Sequence, residues 1–70
     1  MKDNFQKDIE HIVAVLREAG YDPYEQLYAY IQTGNETYIT RTGAARDIVV
    51  KHDRNRLWEY ILPYITHEKR

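Results

Sequence analysis

Apolar residues recur along this chain at helical spacing rather than in strict alternation. Phe5, Ile9, Ile12, Val13 and Leu16 fall three or four residues apart, with Ala19 extending the stripe and polar residues filling the opposite side. Asp3 or Asn4 stands where a first helix needs its cap, and Asp8, Glu10 and Arg17 suit the helix dipole. Gly20 supplies the left-handed residue expected to end it. Asp22-Pro23-Tyr24-Glu25 then marks a second start, with Asp22 as cap, Pro23 at the first helical position and Glu25 at the third. Tyr24, Leu27, Tyr28 and Ile31 predict the inward face of this helix. Tyr30 is expected off that face, and Thr33-Gly34 closes the element.

Residues 35–41 show no clean period and are read as a loop or a single helical turn. Thr42 is the expected cap of a third helix with Ala45, Ile48 and Val49 on its apolar side. Leu57, Trp58, Ile61, Leu62 and Ile65 form the last stripe. Residues 43–67 fit either one bent helix or two. A break at His52-Asp53 is preferred, because aspartate favours caps over helix interiors. Pro63 should kink the last helix, since it lacks an amide and crowds the carbonyl four residues back. The charged tail after Thr66 is expected to fray. The pattern as a whole predicts an all-α fold: a compact bundle of three to four short helices with a helix-turn-helix-like arrangement. One domain should span residues 1–70, with flexible ends at about 1–3 and 67–70.

Length changes this picture by limiting the core. In 70 residues, a single core seldom supplies more than about 3–5 kcal/mol of net stability. With no cysteine, neither disulfides nor a thiolate zinc site can reinforce it. Self-association is the remaining route, and seven tyrosines with one tryptophan suit an interface that is apolar at one end and wet at the other. A homodimer is therefore expected, burying Tyr30, Trp58 or Tyr64 against the second subunit. No apolar run approaches the roughly 20 residues of a membrane-spanning helix, and no export signal is apparent, so the expected location is the cytoplasm.

The net charge of −1 lacks the whole-chain footprint of a nucleic-acid binder, but its distribution is uneven. Residues 1–40 carry three Lys/Arg against seven Asp/Glu. Residues 41–56 carry Arg41, Arg46, Lys51, Arg54 and Arg56 against Asp47 and Asp53. His11, His52 and His67 are scattered without metal-ligand spacing, and there is no serine, cysteine or glycine-rich phosphate loop. Neither an enzyme nor a cofactor site is expected. A basic segment on a helix-turn-helix-like frame keeps a small DNA-binding regulator as the alternative, weakened by Asp47, Asp53, Val49 and Val50 where a recognition helix needs basic or amide side chains.

An ordered set of short motifs adds to this reading. Gly20-Tyr21-Asp22-Pro23, Gln26-Leu27, Ala29-Tyr30, Thr33-Gly34, Tyr38-Ile39-Thr40-Arg41, Ala45-Arg46 and Asp53-Arg54 occur without a gap in register. This set resembles the IreB/ReoM family of small regulatory proteins from low-GC Gram-positive bacteria. The resemblance implies a cytoplasmic helical homodimer without catalytic activity. It implies action downstream of a membrane Ser/Thr kinase that senses cell-wall fragments, and control of wall synthesis and antibiotic tolerance, which in part of the family runs through proteolysis of a wall-precursor enzyme. The family's regulatory phosphothreonine lies in an N-terminal arm, whereas the first threonine here is Thr33. Ala29, Val50 and Asn55-Arg56 also depart from the pattern. Arg41, Arg46, Lys51 and Arg54 match the family's basic positions, and with Tyr38 and Ile39 as apolar anchor they form the expected partner-binding set. Arg46→Ala and Arg54→Ala are expected at this point to leave folding nearly intact.

Overall fold

The computed structural model describes residues 4–68, and the side chains of 4–65. Four α-helices make up the fold: α1 (Phe5–Glu18), α2 (Pro23–Thr33), α3 (Ala45–Val49) and α4 (Arg54–Glu68). Two single 3-10 turns, Glu36–Tyr38 and Thr42–Ala44, lie between α2 and α3. There is no strand among the described residues. The fold is all-α, as the spacing predicted, and the chain breaks between α3 and α4 where Asp53 precedes the last helix.

Local chemistry sets the ends of the first two helices. The amides of Gly20 and Tyr21 donate to the carbonyls of Arg17 and Leu16, both at 3.0 Å, in the paired arrangement that a left-handed glycine permits. Gly20 takes φ +93°, as required. Two residues later the Asp22 carboxylate accepts from the amides of Tyr24 and Glu25 at 3.1 and 3.4 Å. These are orphan donors of the first turn, so Asp22→Ala should cost about 1 kcal/mol. Its thermal midpoint should fall by roughly 4–8 °C, and an unchanged melting curve would show that the cap contributes nothing. Gly34, at φ +75°, ends α2 with its amide on the Tyr30 carbonyl at 2.7 Å.

Other ends differ from expectation. Asn4 precedes α1 without a side-chain capping bond, and Asp3 lies outside the described residues. Thr42 does not cap α3; it opens the second 3-10 turn, and Ala44 precedes α3 with φ +62°. Helix α4, by contrast, keeps Pro63 within its span, as the sequence pattern placed it.

Every element except the two 3-10 turns contributes to one core. Phe5, Ile9, Ile12 and Leu16 from α1 meet Leu27 and Tyr30 from α2, Ala45 and Val49 from α3, and Leu57 and Ile61 from α4. Ile39, between the two turns, completes it with no exposed surface. Ring contacts fix how α4 lies on its neighbours. Tyr24 stacks on Tyr64 at 4.4 Å, Tyr28 meets Trp58 at 5.9 Å, and Arg54 reaches the Ile31 carbonyl. Ascending positions on α2 thus meet descending positions on α4, so the pair is antiparallel. The first turn of α1 is clasped by Tyr60 and His52 edge-on to Phe5, with the Arg56 guanidinium 4.2 Å from the centre of the Phe5 ring.

The inward face of α2 is corrected by about one residue of rotation. Pro23, Leu27 and Tyr30 are the buried positions, Tyr24 and Ile31 flank them, and Tyr28 is exposed. Tyr30, expected to face a partner, belongs to the monomer core. Alternate tyrosines leave this helix with two apolar stripes of similar strength, and only packing against α1 and α4 selects between them.

Candidate functional site

The segment between α2 and α4 carries the candidate partner-binding residues, and it is held by bonds that its sequence does not advertise. Asn35 organises the first 3-10 turn: its Oδ1 accepts from the Thr37 amide at 3.0 Å and from the Thr37 hydroxyl at 2.7 Å. Such local bonding is what favours asparagine before a turn. Ile39 then inserts into the core. Thr40 is clamped by Gln26, whose Oε1 accepts from the Thr40 amide at 3.0 Å while its Nε2 donates to the Thr40 hydroxyl at 2.9 Å. At the second turn the His11 Nε2–H donates to the Gly43 carbonyl at 2.8 Å, and Gly43 rests on Val15. A second histidine bond, His52 Nε2–H to Asp8 Oδ2 at 2.8 Å, ties the α3–α4 link to α1.

On this support the five partner-binding candidates occupy different situations. Tyr38 is 49% exposed, at the end of the first turn. Arg41 is exposed three residues later, and Lys51 is exposed in the link between α3 and α4. Neither side chain forms an ion pair among the described residues. Arg46 is half-buried, and its Nε donates to the Ile39 carbonyl at 2.9 Å. Arg54 is exposed, yet its Nη1 donates to the Ile31 carbonyl at 3.3 Å and its guanidinium lies over Gly34. A cation there suits the unpaired carbonyls and negative end of α2.

Tyr38, Arg41 and Arg46 are therefore linked through Ile39, and Arg54 is tied to the loop that leads into them. Among the described residues no ion pair joins the Lys51 side chain to this group. Ile39, expected to help anchor a partner, is fully buried and anchors the segment instead. The expectation for Arg46→Ala changes with it, because that substitution removes a charge-assisted bond to a buried residue's carbonyl. Arg41 and Lys51 are the positions where charge can be altered without disturbing an observed contact.

The remaining interface candidates also separate. Trp58 is half-buried against Tyr28. Tyr64 is 44% exposed and stacked on Tyr24. With Tyr28 they line an aromatic face along α2 and α4. Beside it, burial pushes the Tyr60 hydroxyl up to about 12, reinforced by its hydrogen bond with Tyr64. The Tyr60 hydroxyl therefore keeps its proton well into alkaline solution.

No group of three His, Cys, Asp or Glu side chains among the described residues is placed to hold a metal ion. None of their helices is long and apolar enough to cross a membrane. The helix α3 has only five residues, two of them buried, and it exposes Asp47. That leaves little for a recognition helix to lay in a groove.

The model of the IreB regulatory phosphoprotein family matches residues 1–66. The chain belongs to this family. A UPF0297 protein of Lachnoclostridium phytofermentans is 39% identical over 67 residues, covering 91% of this chain and 76% of that relative. Membership agrees with the motif set that runs from Gly20 to Arg54, and it supports a regulatory role. In the structure several of those motifs hold the fold itself: Asp22-Pro23 starts α2, Gln26 clamps Thr40, Gly34 admits Arg54, and Arg46 secures Ile39.

Proposed function

We propose that this IreB-family chain is a non-catalytic regulator that docks its Tyr38–Arg54 surface onto an acidic protein partner. The observation that carries the reading is the contrast between buried and free groups on one segment. Ile39, Thr40 and Arg46 are spent on holding the chain, while Tyr38, Arg41 and Lys51 are left exposed on a protein whose other residues are on balance acidic. Opposite charge steers encounter with an acidic partner, and an exposed tyrosine supplies the apolar contact that charge alone lacks. The family resemblance extends the proposal to a cytoplasmic role in control of cell-wall synthesis and antibiotic tolerance, downstream of a membrane Ser/Thr kinase. The aromatic face of Tyr28, Trp58 and Tyr64 is the surface proposed to pair two copies.

A DNA-binding regulator is the reading that one titration separates from this one. A protein that neutralises several phosphates binds duplex DNA at low salt, with affinity falling steeply as salt rises. Labelled duplex of mixed sequence should show no such binding to this protein at micromolar concentration. Saturable binding with a steep salt slope would replace the proposed function with a repressor-like one.

A further inference from the structure

We infer that Gln26 is a positioning residue of the docking surface, fixing the direction in which Tyr38 and Arg41 leave the fold. The inference rests on the docking function proposed above, and it adds to that surface a residue that need touch no partner. Two side chains from different helices grip one peptide unit. The Ile39 carbonyl and the Thr40 amide belong to the same planar group, and a trans peptide points them in opposite directions. Arg46 Nε, on α3, donates to the carbonyl at 2.9 Å, while Gln26 Oε1, on α2, accepts from the amide at 3.0 Å. Gln26 turns its other polar atom to the same residue, Nε2 donating to the Thr40 hydroxyl at 2.9 Å.

This unit lies where the direction of the exposed side chains is decided. Tyr38 and Arg41 flank the Ile39-Thr40 pair and both are exposed, whereas Ile39 is wholly buried and Thr40 half-buried. Burial of one apolar side chain sets how deep the segment lies. It leaves the plane of the following peptide free to turn, because apolar contacts are non-directional. Hydrogen bonds depend steeply on angle, so the paired grip on carbonyl and amide fixes that plane.

Gln26 separates geometry from charge in a way that Arg46 cannot. It is neutral, stands 14 residues from Thr40 in sequence, and is not one of the basic side chains offered to an acidic partner. Gln26 and Thr40 are both half-buried, so water reaches the Thr40 amide once its acceptor is removed. The fold should then survive while the segment loosens. A surface that has to be ordered as it binds loses affinity by the cost of that ordering.

The test pairs amide exchange on the full chain with complementation of a host strain lacking the chromosomal gene, scored as sensitivity to a wall-active antibiotic at matched abundance. Gln26→Met keeps the side chain's length and helix propensity and removes its hydrogen bonds. Its Thr40 amide should exchange roughly two- to tenfold faster, the range that one hydrogen bond's net contribution gives, and complementation should be lost. Gln26→Glu keeps two acceptors, one for the Thr40 amide and one for a Thr40 hydroxyl turned to donate, and should retain both protection and complementation. Ile61→Val loosens the core from α4 without touching the clamp, and should complement despite its lower stability. The charge-reversed Arg41→Glu, Lys51→Glu variant runs beside them and should fail. Full complementation by that double variant overturns the docking reading and this inference with it. Full complementation by Gln26→Met beside a failing double variant overturns this inference alone. So does a Gln26→Met chain that does not fold or keeps wild-type exchange at Thr40, a failing Gln26→Glu, or a failing Ile61→Val.

Discussion

Ile39→Ala should be close to the largest single loss this fold can sustain. Ile39 is the only wholly buried side chain between α2 and α3 in the core described here, and it has no regular element of its own to hold it there. Truncating a buried isoleucine costs about 2–5 kcal/mol, combining lost transfer energy with the cavity left behind. A core of this size supplies about 3–5 kcal/mol, so much of the variant should be unfolded at ambient temperature. Ile39→Val, which removes one methylene, should cost only about 0.5–1.5 kcal/mol. Urea unfolding followed by circular dichroism measures both. A loss below about 1 kcal/mol for the alanine variant would mean that the segment is not seated in the core.

Gly43→Ala should rank next, for two reasons that can be separated. Gly43 takes φ +57°, where a side chain is strained, and an added Cβ would stand 2.8 Å from Val15 Cγ1 and 2.9 Å from Val15 Cβ. Strain of this kind costs on the order of 1 kcal/mol or more, and overpacking about 1–3 kcal/mol besides. Gly20 offers the control, since it also has a positive φ but nothing within 4 Å of an added Cβ. Gly20→Ala should therefore carry the strain alone. Combining Gly43→Ala with Val15→Ala should recover part of the loss, giving a coupling of roughly 1 kcal/mol in a double-mutant cycle. Strict additivity would show that no such contact exists.

What the sequence makes legible here is whatever chemistry acts within a few residues. Asp22, Gly20 and Gly34 mark helix ends because caps and left-handed residues are local requirements. The stripes of α1 and α4 are strong enough to place Ile9, Ile12, Leu16, Leu57 and Ile61 inside. The break at Asp53 follows from the same local preferences. What the sequence conceals is set by partners distant along the chain. Residues 35–41 have no period, so nothing marks Ile39 as core until Arg46 and Gln26 are seen gripping its neighbours. Tyr28 and Tyr30 have similar apolar character, and the rotation of α2 that buries one of them is decided by α1 and α4. The arginines illustrate the same limit for the site. Sequence position groups Arg41, Arg46, Lys51 and Arg54 together, whereas Arg46 and Arg54 turn out to grip carbonyls of their own chain.

That separation makes Arg41 and Lys51 the sharpest probes of function. The most direct measurement is complementation in a host strain lacking the chromosomal gene, scored as sensitivity to a wall-active antibiotic. Wild type is compared with the Arg41→Glu, Lys51→Glu double variant at matched abundance. Reversing two exposed charges that make no observed ion pair should leave the melting curve within about 0.5 kcal/mol of wild type. The docking account predicts that wild type restores normal sensitivity and that the equally stable double variant does not. Full complementation by the double variant, or a deletion strain whose sensitivity is unchanged, would contradict it.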